Sequence, residues 1–295
     1  NGALLAQTPD NGTSGGNKRG IRAVDLQQFR TQAPFVASGN YSAILGGRSN
    51  TVSATGSSIA GGNVNSITSG NYSFIGGGEQ NSIPTGSGYS VVVGGYGNTT
   101  GRDYGFIGSG TGNTLAFSAY AGFIGSGGNN SVSGSYGAVI SGSGNNITGD
   151  YGLAHGDSNT VTDTGCVAFG STNVVSGPYS IAIGLSNTVA RYGIASGMRA
   201  STRGIWGARA HGMASNSGSN QSADYILIYD TTDGTPVAIT ANGSGASSTN
   251  QIKLEVNQAS SCSALVSSCW TGSIRPRSAT SRRSRIRCRM SRRWI

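Results

Sequence analysis

Between residues 39 and 202 the apolar and polar positions follow one short pattern that recurs eleven times. Each repeat is anchored on a glycine: Gly47, Gly62, Gly78, Gly95, Gly110, Gly127, Gly142, Gly156, Gly170, Gly184 and Gly197. Three residues before each anchor stands an aliphatic side chain, forming the column Ile44, Ile59, Ile75, Val92, Ile107, Ile124, Val139, Leu153, Val167, Ile181 and Ile194. Three residues after it comes Asn50, Asn65, Asn81, Asn98, Asn113, Asn130, Asn145, Asn159, Asn173 or Asn187, and only the last repeat departs, at Ala200. Five residues after it a second apolar or β-branched column runs from Val52 and Ile67 to Val189 and Thr202. The anchors lie 13 to 17 residues apart.

A period this short cannot bury its own apolar face, so each repeat must stack on its neighbours. Within a repeat, as in Ser180-Ile181-Ala182-Ile183-Gly184, the alternation has the period of a strand. The Gly-x-x-Asn segment reads as the turn between two strands. The fold class is therefore all-β: a parallel β-roll or β-solenoid of about eleven coils, with equivalent residues about 4.8 Å apart. Both apolar columns are expected inside. The asparagine column reads as a ladder in which each amide donates to a carbonyl of the next coil. Turn chemistry alone would place asparagine there too.

Composition sharpens this. With 50 glycines in 295 residues, helices are excluded, since each interior glycine would cost roughly 1 kcal/mol. Ordering so much glycine offsets the burial of the two columns, so a single thin roll is expected to need sister chains.

Ser180-Ile181-Ala182-Ile183-Gly184-Leu185-Ser186-Asn187-Thr188-Val189 resembles the head repeat of YadA-like trimeric adhesins. Asn71-Tyr72-Ser73-Phe74-Ile75-Gly76-Gly77-Gly78-Glu79-Gln80-Asn81 is similar to the variant found in bacteriophage tail fibres and tailspikes. The flanks Arg22-Ala23-Val24-Asp25-Leu26-Gln27 and Thr231-Thr232-Asp233-Gly234-Thr235-Pro236 resemble flanks of phage virion proteins. The resemblance implies a left-handed roll, a homotrimer, and attachment to a host-surface polysaccharide or protein. It also implies a place in the virion tail, with the N-terminal arm against other tail or baseplate proteins. The head of a bacterial surface adhesin and a polysaccharide-degrading tailspike are the alternatives.

Around the repeats, residues 1–38 are polar and read as an arm or linker, with a short helix at 23–30. Residues 203–221 read as a closing coil in which Trp206 covers the open end. Residues 222–259 read as a small antiparallel β-domain with strands at 225–229, 236–240 and 251–256. Residues 260–295 fit neither pattern. The net charge of +9 sits in nine arginines between Arg275 and Arg293, leaving 11 basic residues against 11 acidic ones elsewhere. That Ser, Arg and Cys-rich run resembles out-of-frame translation, so no nucleic-acid partner is inferred from it.

Candidate chemistry is sparse. No C-x-x-C pair occurs among the four cysteines, and Cys166 reads as a small filler. His155 and His211 are the only histidines, and the equivalent carboxylates Glu79 and Asp157 fall five coils apart, roughly 24 Å. No catalytic residue, metal or cofactor is expected. A flat ice-binding array would need threonine outward in register, and the threonines look scattered. Tyr41, Tyr72, Tyr89, Tyr104, Tyr120, Tyr136, Tyr151, Tyr179 and Tyr192 fall five to seven residues before their anchors. They predict an aromatic edge, and Tyr41, Tyr72, Tyr89, Tyr104 and Tyr136 are its candidate glycan-binding residues. Packing of the rings on one another is the competing expectation.

Overall fold

The structure, a computed structural model, describes residues 7–84, 86–215, 218–224, 226–229 and 284–287. Among them there is no helix. The chain winds as an all-β parallel solenoid of about 13 turns. One side of the coil is a wide sheet of 14 strands and the other a narrow sheet of 10. Strands are short because glycine interrupts them, and alternation decides their facing. In Ser58–Ile59 and Ser66–Ile67 the serine faces out and the isoleucine is fully buried. Stacking is parallel and in register, Ile44 on Ile59 and Ile59 on Ile75 in the wide sheet, Val52 on Ile67 in the narrow one. The inner columns of both sheets merge into one core.

The expected inward column is correct up to Val139 and then shifts by one residue. Leu153, Val167, Ile181 and Ile194 are not core residues: they are half-buried on the outer surface, and Ala154, Ala168, Ala182 and Ala195 take the buried places. The pairing shows why. Val139 pairs with Ala154, yet Gly142 pairs with Gly156, so one residue is lost between core and anchor. Early coils carry that extra residue as an irregularity. Without it Leu153–Asp157, Val167–Ser171, Ile181–Leu185 and Ile194–Met198 run as unbroken five-residue strands. Alternation along an unbroken strand then turns the alanine inward.

The N-terminal stretch is also corrected. Residues 23–30 form no helix, and the described part of 1–38 is no free arm. Val24–Asp25 pairs parallel with Ala43–Ile44, Phe29 bridges to Arg48, and Ala37 bridges to Val52. This is a further coil, disguised because a carboxylate occupies the core column. Asp25 is buried, and Arg19 and Arg30 lie 3.1 Å and 3.2 Å from its oxygens. A buried charge persists only when paired in this way. The Arg30 side chain is itself buried and donates to the carbonyls of Ser14 and Gln27, tying the preceding segment across the end of the roll.

At the other end Arg209–Ser215 continues the wide sheet, and Gly218–Asp224 folds back on it antiparallel. A reversed strand cannot template another parallel coil, which ends the repeat. Trp206 does not cover this end. It lies on the edge, 48% exposed, against Tyr192. Beyond, Ile226–Tyr229 pairs antiparallel with Ser284–Arg287. The strands expected at 236–240 and 251–256, and most of the 260–295 tail, lie outside the described residues.

Candidate binding surfaces

The asparagine column forms a buried ladder. Asn65 is fully buried; its Nδ2 donates to the Gly78 carbonyl of the next coil at 2.9 Å, and its backbone N–H donates to Asn50 Oδ1 at 2.9 Å. The same two bonds recur to Asn187, which donates to the Gly197 carbonyl and accepts the Ala200 N–H at 2.8 Å. None of these asparagines has positive φ, so turn preference does not explain them. The ladder begins one coil before the first asparagine, because Gln27 Oε1 accepts the Asn50 N–H at 2.8 Å. Only its spacing from Asp25 could have marked Gln27 in the sequence. The positive φ belongs instead to the anchors, and at Gly142 (φ 122°) an added Cβ would stand 1.7 Å from the Gly156 carbonyl.

This scaffold presents two flat faces and two edges. On the narrow sheet the outward residue of each strand is Thr51, Ser66, Ser82, Thr99, Thr114, Ser131, Thr160 or Thr188, broken by Asn146 and Val174. The hydroxyls expected to scatter are therefore aligned along one face. Sequence reading missed this because the spacing varies from 14 to 17 residues across that stretch, and only coil pairing restores the register.

The wide sheet faces outward with two apolar ranks. Phe74, Phe106 and Phe123 each carry a glycine two residues on, and their rings lie within about 3.6 Å of where a Cβ on Gly76, Gly108 or Gly125 would be. The ring lies flat and covers the bare backbone, the device that compensates for glycine in a strand. Val93, Ile140 and Ile183 take the place of those glycines in other coils and stay about half exposed.

Along one edge, the tyrosines stack. Ring centroids are 5.4 Å apart for Tyr72 and Tyr89, 5.3 Å for Tyr89 and Tyr104, and 5.1 Å for Tyr136 and Tyr151. Tyr120 meets Tyr104 and Tyr136 edge-on because it sits one residue earlier in its turn, where Ala121 takes the positive φ. Desolvation, and then the neighbouring Tyr104 and Tyr136, push the Tyr120 hydroxyl up from its ordinary pKa. Gly165 interrupts the run, which resumes as Tyr179, Tyr192 and Trp206. Tyr41 stands apart, because Gly56 takes the equivalent left-handed place in the next coil, and the Arg22 guanidinium lies 5.6 Å from its ring. The rings pack on one another, and they remain 47% to 64% exposed where the backbone is left-handed. Stacking occupies the ring faces, so the run presents outward mainly ring rims and hydroxyls.

Titratable groups do not converge. His155 Nδ1 lies 3.0 Å from Ser141 Oγ on the outer wide face. Glu79 accepts from Asn63, in the same bridging column as Asp157 five coils on. Among the described residues no group of three or more His, Cys, Asp or Glu could hold a metal ion. Cys166 Sγ donates to the Gly177 carbonyl at 2.9 Å, in the buried column where other coils have Ser57 or Ser180. Burial pushes its thiol pKa up.

These features define a repeat β-roll. A family model described as a grass antifreeze beta roll matches residues 100–195. No curated protein matches the chain significantly.

Proposed function

We propose that the chain is the structural and host-attachment segment of a bacteriophage tail fibre or tailspike, in the phage variant of the YadA-like head repeat. It is a homotrimer in the virion tail, anchored on other tail or baseplate proteins and binding a cell-surface glycan or other receptor without catalysing a reaction. The observation that carries this reading is the tyrosine edge. Eight tyrosines have φ between 51° and 61°, a left-handed conformation in which glycine or asparagine would be unstrained. Each such residue costs about 1–2 kcal/mol. Tyrosine repeated at that cost, half exposed and aligned along a rod, supports selection for what its rim contacts. Hydroxyls about 5 Å apart suit the repeating hydroxyls of a polysaccharide.

The test replaces Tyr89 and Tyr104 with asparagine, which tolerates the same backbone, and measures retention on host cells or capsule. At least tenfold weaker binding with an unchanged melting transition supports the reading. Unchanged binding refutes it for this edge. Released oligosaccharide from the unmodified protein would favour the polysaccharide-degrading alternative. Linkage of the gene to a membrane-anchor barrel would favour the bacterial adhesin.

A second reading rests on a separate observation. The aligned hydroxyls of the narrow sheet, together with the family match over residues 100–195, support binding to an ordered surface such as ice. Thermal hysteresis that disappears in Thr114→Lys/Thr160→Lys would establish it.

A further inference from the structure

We infer that the outer face of the wide sheet is where copies of this chain pack against one another. Two outward ranks run the length of the roll, and where the second has Gly76, Gly108 or Gly125 the ring of Phe74, Phe106 or Phe123 covers the gap. One holds Val91, Ile181 and Ile194 among others, the second Leu45, Val93 and Ile140. Leu45 is 55% exposed, Val93 50%, Ile140 47% and Ile183 48%. Single exposed apolar residues are ordinary, but an aligned strip broken only at Ser58, His155 and Ser196 is not.

Charge distribution points to a particular partner. None of the nine Asp, Glu and Arg residues between positions 39 and 202 lies in either rank: Arg48, Glu79 and Asp157 share the next pairing column of the wide sheet and the others lie in turns, while His155 is the one titratable side chain of that span within the second rank. A partner must therefore be uncharged across these two ranks. It must also repeat about every 4.8 Å, because the strip does. A second copy meets both conditions by construction. Twelve coils give a strip about 55 Å long and roughly 10 Å wide, so about 500 Å² on each copy before side-chain relief is counted. Covering it on two copies removes about 1,000 Å², the size from which specific interfaces begin.

The four late coils fit this assignment. Their larger aliphatics Leu153, Val167, Ile181 and Ile194 point outward while alanine fills the core. Such a distribution is costly for an isolated chain and favourable for one buried against another.

The proposal specifies the face for the homotrimer of the attachment reading, and it stands or falls separately from the tyrosine edge. The unmodified 295-residue chain is expected to sediment as a multiple of 29.7 kDa. Val93→Lys/Ile140→Lys/Ile183→Lys, all at exposed positions, should shift it to monomer, while Thr114→Lys/Thr160→Lys on the narrow sheet should not. A monomeric parent, or an assembly indifferent to the wide-face lysines, overturns the assignment. Should the triple variant not fold, hydroxyl-radical footprinting of the parent decides. Phe74, Phe106 and Phe123 should be protected about fivefold or more relative to edge residue Phe117, as in a dry interface core. Comparable reactivity refutes it. Dissociated copies that lose glycan binding, or assembled ones that never bound it, leave the face assigned and bear only on attachment.

Discussion

Two halves of the same roll solve the same packing problem in opposite ways. In the coils up to Val139 the core column is Ile or Val and the outward rank alternates small, aromatic and aliphatic residues. In the next four the core column is alanine and the large aliphatics face out. The asparagine ladder, the glycine anchors and the second apolar column continue through both without change. A single residue between core and anchor is the whole difference in backbone. In a strand, one residue inverts every facing that follows until the next glycine resets it. The late half thus exchanges internal packing for external apolar surface at constant register.

The anchor and the extra residue should differ most. Gly170→Ala places a Cβ 2.0 Å from the Gly184 carbonyl at a φ of 115°, and a loss of about 3 kcal/mol or more is expected in denaturant melts. Gly61, the supernumerary residue of an early coil, has open space around its missing Cβ. Gly61→Ala should stay within about 0.5 kcal/mol. Equal losses at the two sites would show that the early irregularity is itself required.

The core columns should separate next. Ile75→Ala removes a fully buried side chain and should cost about 2–5 kcal/mol. Ile181→Ala in the dissociated chain should cost under about 1 kcal/mol, whereas Ala182→Ile overfills a closed site and should cost about 1–3 kcal/mol. Thermal melts in which Ile181→Ala proves the worst of the three would undo the shifted register.

Thr100 tests the second column, which both halves share. Its Oγ1 is buried without a partner where the other coils carry Ile, Leu or Val, except the last, where the Thr202 hydroxyl is hydrogen-bonded. Thr100→Val should therefore stabilise by about 1 kcal/mol, and a destabilised variant would reveal an acceptor for that hydroxyl.

The smallest effect concerns Cys166. Burial raises its thiol above the ordinary value of 9.0, so the folded chain keeps the proton longer than the unfolded one. Stability from this group is complete below the ordinary thiol pKa and declines as pH rises through the folded value. Alkylation at Cys166, followed by peptide mass spectrometry, should be slow in the native protein and fast after denaturation. Rapid native labelling would mean that the column is open to water.

Much of this was readable from spacing. Anchors, asparagines and the second column recur so regularly that parallel stacking and the position of the core follow from periodicity alone. The signal failed where facing depended on one residue. At Leu153 and Ile181 an aliphatic three before the anchor looks like its counterparts, and only the strand running unbroken into Gly156 or Gly184 turns it outward. It failed again at Asp25, where a core position is occupied by a charge whose partners Arg19 and Arg30 lie six residues before and five after it.

What the chain determined by itself is the coil: glycine where backbones touch, asparagine where amides must bond from rung to rung, aliphatics where water is excluded. Those requirements are local to one repeat and its neighbour, so they leave a periodic mark. Surfaces are decided differently. The hydroxyl face, the tyrosine edge and the apolar strip exist only after coils of unequal length are brought into register by backbone pairing. Side-chain direction depends on that three-dimensional alignment, and counting along the chain cannot supply it.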